Sequence, residues 1–333
     1  MKKVAINGLG RTGRVMLRRF LCGTAPANLQ LVGINDSADP DDIAYLTTYD
    51  SVHGRLSASV RLAGGQLVYG DVAVPIFRQT EPEQLPWGDL GVDVVIECTG
   101  AFTSRAGAAR HLAAGARRVL IGAPSPDADV TLVLGVNPGD FDPDAHRVVS
   151  NASCTTNSLA PVLMVLNRAF GLEDVVATTV HAYTASQGIV DKPAKKKHRG
   201  RAAAVSMIPT STGADAATVQ VLPHLAGKLR AIAIRVPVPN GSLTDISARL
   251  TLSASADAVN AALAEAADGE LAGILGYTSE ELVSIDIMGR QESGIVHARS
   301  TASTGRLCKV LVWYDNESGY AARCLDTIAT LGF

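Results

Sequence analysis

Residues 4–13, VAINGLGRTG, put an apolar run, a glycine-rich turn and the start of a helical pattern into one short stretch. Val4, Ala5 and Ile6 predict a strand that ends before Gly8. From Arg11 to Cys22 the apolar residues Leu17, Phe20 and Leu21 fall at helical spacing. A second apolar run at 31–34 completes a strand–helix–strand unit. In that context the spacing of Gly8, Gly10 and Gly13 leaves few folds open. The first glycine permits a tight turn, the second lets backbone approach a pyrophosphate, and the third allows close helix–strand packing. The N–H groups and dipole at the helix start favour the phosphates. Asp36 ends the second strand, roughly 20 residues on. A carboxylate there accepts from ribose hydroxyls and repels a 2′-phosphate, so NAD is expected over NADP. Asn35-Asp36-Ser37 is also ordinary turn chemistry.

Strands are expected at 92–96, 119–121 and 131–134, with an alanine-rich helix over 105–114. Alternating strands and helices favour a parallel sheet covered on both faces. The pattern changes after Ser150. A helix carrying Leu159, Val162, Leu163 and Leu166 follows Cys154. Longer, alternating strands come next at 176–180, 231–236 and 243–252, as in an antiparallel sheet. A strand at 308–313 and a helix at 320–331 close the chain. Two domains meeting near residue 150 suit a length of 333 residues.

Apolar residues make up 47 % and charged residues 19 %, which excludes wholesale disorder. A formal charge of −2 gives no global pull toward nucleic acid or an anionic membrane. The N-terminus has no signal-peptide core, and no run approaches a membrane span, so a cytoplasmic protein is expected. The five cysteines are widely spread, an odd-numbered and poor disulfide framework, and no CxxC pair suggests a metal site. Cys22, Cys98, Cys308 and Cys324 lie in apolar or helical surroundings and are expected in the core. Cys154 differs. In SNASCTTN, residues 150–157, it sits among small polar residues just before a helix, where a thiolate is favoured. Its candidate acid/base partner is His181, at the end of the 176–180 strand. A dinucleotide site with a reactive thiol points to oxidation of an aldehyde through a thioester.

With those residues in view, the sequence resembles the phosphorylating glyceraldehyde-3-phosphate dehydrogenase family. The shared segments are INGLGRTGR, YDSVHGR at 49–55, ECTGAFTSR at 97–105, SNASCTTN, TTVHAYT at 178–184, IPTSTGA at 208–214, RVPVPNGS at 235–242 and WYDNESGY at 313–320. They span essentially the whole chain. The resemblance implies an α/β fold: a Rossmann-type NAD-binding domain plus an α+β catalytic domain with a mostly antiparallel sheet. The NAD-binding domain would be 1–150, completed by a C-terminal helix at 316–333, and the catalytic domain 151–315. Cys154 would be the nucleophile and His181 the general base and later acid. Gly8, Gly10, Arg11, Thr12, Gly13 and Asp36 would hold NAD, and Asn316 its carboxamide. Thr184 and Arg235 would hold the substrate phosphate. Ser153, Thr155, Thr212 and Gly213 would hold inorganic phosphate, with Arg235 between the two sites. The partners implied are glyceraldehyde 3-phosphate and inorganic phosphate, in a homotetramer. The implied product is 1,3-bisphosphoglycerate, in glycolysis or gluconeogenesis.

Several positions depart from the family pattern. Thr12 replaces isoleucine in the glycine loop, and Gly122 stands where many relatives have serine. Ser158 replaces a second cysteine one turn after Cys154, and Ser186 stands near the expected substrate phosphate. Lys192 occupies a loop position that is apolar or glycine in relatives. The run Lys195-Lys196-Lys197-His198-Arg199, with Arg201, is the one concentration of charge; by itself it reads as a solvated loop or a nucleic-acid patch, and the resemblance implies a long loop near the cofactor at a tetramer interface. Erythrose-4-phosphate dehydrogenase and a specialised, inhibitor-resistant paralogue are the alternatives. The retained HAYT and TSTG segments argue against the first.

Overall fold

In the computed structural model, which describes residues 1–333, Lys2–Asn7 forms strand β1 with Val4, Ala5 and Ile6 wholly buried. After the turn at Gly8 come α1 (Arg11–Leu21), β2 (Leu29–Asn35) and α2 (Pro40–Thr48). An antiparallel meander follows: β3 (Arg61–Ala63), β4 (Gln66–Tyr69) and β5 (Val72–Phe77). The chain goes on through α3 (Trp87–Leu90), β6 (Val94–Glu97), α4 (Arg105–Ala113), β7 (Arg118–Ile121), β8 (Val130–Thr131) and β9 (Val148–Ser150). The sheet order is β3-β4-β5-β2-β1-β6-β7-β9-β8, and every pairing from β5 to β8 is parallel. Its central strands are Val- and Ile-rich because both faces are covered. Trp87, Val92 and Val95 pack in one cluster, and Ala108, Val119, Ile121 and Val148 in another. Strand order reverses between β1 and β6, the point at which such sheets open a crevice at their carboxyl ends.

Met1–Ala152 and Ala321–Phe333 form this first unit. Lys2 Nζ donates to the carbonyls of Ile328 and Leu331, Thr327 Oγ1 donates to Asn151 Oδ1, and Phe333 stacks on Phe141.

Ser153–Tyr320 forms the second unit. Its elements are α5 (Cys154–Phe170), β10 (Leu172–Ala182), β11 (Ile208–Ser211), α6 (Ala214–Val221), β12 (Leu229–Val236), β13 (Ser242–Leu250), α7 (Ala256–Asp268), β14 (Leu275–Thr278), β15 (Gly294–His297), β16 (Ala302–Thr304) and β17 (Leu307–Tyr314). The chain ends in α8 (Ser318–Thr330). The sheet runs β11-β12-β10-β13-β17-β15-β14, with β16 on β17. It is mostly antiparallel; β10–β12 and β14–β15 are the parallel pairs. Along β13, Ser242, Thr244, Ile246, Ala248 and Leu250 are buried and the residues between them less so. That period of two marks one covered face, and α5 packs on it. The expected fold class is observed: a Rossmann-type α/β unit and an α+β unit with a mostly antiparallel sheet. No helix is long and apolar enough to cross a membrane.

Two local expectations change, and one meander has no counterpart among them. The strand expected at 131–134 stops at Thr131, because the Asn137 side chain takes the N–H of Val133 and donates to the carbonyl of Thr131. The β3–β5 meander went unread, although Gly64-Gly65 and Gly70-Asp71 between short apolar runs are hairpin signals. Cys22, expected in the core, is exposed: it caps the C-terminus of α1, where the chain leaves the helix's buried face.

Candidate active site

The first unit carries a crevice of about 360 Å³ at the carboxyl ends of β1, β2 and β6, lined among others by Gly8, Gly10, Asp36, Thr80 and Thr99. Gly8 has φ of +95°, and a Cβ there would lie 2.5 Å from the Thr99 nitrogen. A Cβ on Gly13 would lie 2.0 Å from the Gly8 carbonyl oxygen, so α1 sits tight against the turn. A Cβ on Gly10 would meet nothing within 4 Å: this position faces open space. No side chain caps α1 at Gly10, which leaves first-turn N–H groups of the kind a pyrophosphate takes. Asp36 accepts from Leu9 N–H at 2.6 Å and Ala38 N–H at 2.9 Å. Its carboxylate is thereby fixed between the glycine loop and the β2 turn, on the crevice wall. This donor set and cradle fit a dinucleotide. The Arg11 side chain is engaged elsewhere, bidentate on Asp50 at 2.6 and 3.0 Å. Arg11, Thr12 and Gly13 follow the glycine turn at the start of α1 and are not themselves part of the crevice lining.

In the second unit, Cys154 is the first residue of α5, and its neighbour Ser153 is the N-cap, accepting from Thr156 N–H at 3.0 Å. Cys154 Sγ lies 3.7 Å from His181 Nε2, within reach for a thiol–imidazole pair. His181 is the penultimate residue of β10, and parallel pairing sets it directly beside Arg235 of β12. His181 Nδ1 is 2.7 Å from the Ala182 carbonyl oxygen and 2.7 Å from Arg235 Nη1, which also donates to that carbonyl at 2.9 Å. Burial, and then the Arg235 guanidinium, push His181 down to about 3. Burial pushes the Cys154 thiol up, while Arg235 and hydrogen bonds from Thr155 pull it down. One arginine therefore favours the thiolate and keeps the imidazole neutral. Its Nε is buried without a hydrogen-bond partner, a donor left over for an anion.

The remaining candidates divide. Thr184 Oγ1 lies 2.9 Å from Ser186 Oγ, and Thr212 Oγ1 accepts from Ala214 N–H at 3.2 Å. Gly213 opens α6 with no side-chain cap. Thr155 Oγ1 lies 3.0 Å from Tyr314 Oη, and Thr155 also hydrogen-bonds Cys154. Asn316 Oδ1 accepts from Ser242 Oγ at 2.7 Å, and Ser242 Oγ also accepts from Ala182 N–H at 3.1 Å. Three residues joined here were not singled out from sequence. Tyr314, wholly buried, spans Thr155 and Thr179 and meets His181 edge to face. Ser242 ties the end of β10 to Asn316. Arg199, inside the basic run, bonds Thr210 and the Ser211 carbonyl and acts electrostatically on both His181 and Arg235. Tyr314 and Ser242 lie in segments already noted, WYDNESGY and RVPVPNGS. Nothing local marks which of five cations in the run turns inward.

A dinucleotide crevice on one unit and a thiol–imidazole–guanidinium cluster on the other are features of an NAD-dependent dehydrogenase. Comparison with known proteins narrows the class. The profile "Glyceraldehyde 3-phosphate dehydrogenase, NAD binding domain" matches residues 2–105, and its "C-terminal domain" counterpart matches 153–316. A glyceraldehyde-3-phosphate dehydrogenase of Geobacillus stearothermophilus is 49 % identical over 328 residues, covering 98 % of this chain and 97 % of that protein. One of Priestia megaterium is 50 % identical over 325 residues, covering 97 % and 96 %. Glyceraldehyde-3-phosphate dehydrogenase 1 of Bacillus subtilis is 49 % identical over 328 residues, covering 98 % and 97 %. The chain belongs to the glyceraldehyde-3-phosphate dehydrogenase family, and NAD is its cofactor.

Proposed function

We propose that the chain oxidises D-glyceraldehyde 3-phosphate with NAD and inorganic phosphate to 1,3-bisphosphoglycerate, as a cytoplasmic homotetramer. The observation that carries this is the Cys154–His181 pair at 3.7 Å with Arg235 in register beside it. Cys154 Sγ bonds to the aldehyde carbon. His181 Nε2 takes the thiol proton and hands a proton to the adduct's oxygen as needed. NAD, when bound, would supply the two-electron (hydride) acceptor, and His181 Nε2 takes back the adduct's hydroxyl proton as the Cys154 adduct becomes a thioester. Phosphate oxygen then attacks the thioester carbon, the C–S bond breaks, and Cys154 is regenerated. Arg235, with Thr184, serves the substrate phosphate. Ser153, Thr155, Thr212 and Gly213 serve the incoming one. Hydroxyls, N–H groups and a planar guanidinium are what two phosphates require. Asn316, its carbonyl oxygen committed to Ser242, is assigned to the nicotinamide carboxamide. Asp36 sets the preference for NAD over NADP. Exposed Ile189, Val190, Val205 and Met207 support an assembly that covers them.

The test is NADH formation from glyceraldehyde 3-phosphate and from erythrose 4-phosphate, each with and without phosphate. Turnover of the triose that depends on phosphate is expected. Cys154→Ser should abolish it while NAD still binds. Turnover in that variant, or turnover indifferent to phosphate, overturns the mechanism.

A further inference from the structure

Glu97 ends β6 and is 1 % exposed. A carboxylate removed from water persists only where donors replace its hydration. Four do so. Oε2 accepts from Asn7 Nδ2 at 2.6 Å and His111 Nε2 at 3.0 Å; Oε1 accepts from Thr99 N–H at 2.7 Å and from the Thr99 hydroxyl. His111, wholly buried on α4, faces Trp87 Nε1 with its other nitrogen at 3.0 Å. An indole N–H only donates. Nδ1 is therefore the acceptor, and the ring proton sits on Nε2, pointing at Glu97. The order propagates outward. With Nδ2 committed to Glu97, Asn7 offers Oδ1 to Asn35 Nδ2 at 2.7 Å, and Asn35 Oδ1 accepts from Gln79 N–H at 2.9 Å.

The segments joined are the carboxyl ends of β6, β1 and β2 and the stretch after β5. Asn7, Asn35, Gln79 and Thr99 line the dinucleotide crevice, while Glu97 and His111 lie behind it. Gly8 rests on Thr99, with no room for a Cβ between them. We propose that His111 and Glu97 are positioning residues for the dinucleotide: through Thr99 and the two asparagines they hold the crevice floor in its binding shape. Every neighbour of the carboxylate donates, so an amide at 97 turns a donor against a donor.

The inference rests on NAD occupying this crevice, which titration of the unaltered protein tests separately. NAD affinity, KM for NAD and for the aldehyde, and melting temperature are measured for His111→Phe, His111→Gln and Glu97→Gln. His111→Phe and Glu97→Gln should each weaken NAD about tenfold or more. The loss should fall on KM for NAD, with KM for the aldehyde moving less than about threefold. His111→Gln, which carries an N–H toward Glu97, should recover to within about threefold of the unaltered protein. Should His111→Phe fail to fold, His111→Gln and Glu97→Gln decide between them. The proposal is overturned if the unaltered protein binds NAD and Glu97→Gln binds it equally well. It is also overturned if His111→Gln is as weak as Glu97→Gln.

Discussion

His181 connects chemistry and stability in one side chain. Its pKa in the fold, about 3, lies below its ordinary value of 6.5. Between those values the unfolded chain binds a proton that the folded chain does not. The stability it contributes is therefore complete above pH 6.5 and is lost as pH falls toward 3. His181→Asn should flatten the pH dependence of unfolding in that window, by at most about 1.4 kcal/mol per pH unit. Denaturant melts across the window measure this; equal slopes in both proteins would contradict the buried neutral imidazole. Gly122 allows a second prediction. A Cβ there would lie 2.9 Å from Cys98 Sγ and 3.2 Å from the Glu97 carbonyl oxygen. Gly122→Ser should cost about 1–3 kcal/mol, and Cys98→Ala should relieve much of it. In a double-mutant cycle, strictly additive losses would show that the two positions do not touch. Both effects were invisible in the sequence, where Gly122 is only a departure from relatives and His181 only one histidine near a strand end.

The N-terminus of α5 concentrates several functions in one turn. Ser153 caps it, Cys154 begins it, and Ser158 donates to the Thr155 carbonyl at 2.9 Å. Ser153→Ala should cost about 1 kcal/mol of stability through the lost cap and raise KM for phosphate. Thermal melts and phosphate titration read the two effects apart. With Ser158 in place of a thiol one turn on, peroxide should carry Cys154 to the sulfinic and sulfonic forms. Peptide mass spectra that instead show a disulfide between Cys154 and another cysteine of the chain would reject this. The α5 start was legible to within a residue: Cys154, expected just before a helix, is its first residue, with Ser153 as the cap. The β11–β12–β10 register was not. His181 and Arg235 are 54 residues apart in the chain, and their parallel alignment depends on which faces the whole sheet must bury.

For the molecule as a whole, each unit's polar network sits where its covalent topology brings distant segments to one edge. Sedimentation should give a particle of about four times 34.6 kDa. Val205→Glu with Met207→Glu should produce smaller species, and a lone chain in the unaltered protein would remove the homotetramer from the proposal. The glycine loop, the strand-end acid and the cysteine at a helix start could all be recognised from sequence. Each depends on a few consecutive residues whose φ, hydrogen-bond donors and side-chain size act on their neighbours directly. The contacts of Tyr314 with Thr155, of Arg199 with Thr210 and of His111 with Trp87 and Glu97 follow no local period. They join separate elements, from 11 to 159 residues apart, and arise only when those elements pack and buried polar groups must find the partners that packing supplies. The nucleophile and the cofactor loop were written in short motifs, whereas the electrostatics that set their protonation and shape exist only once the chain has folded.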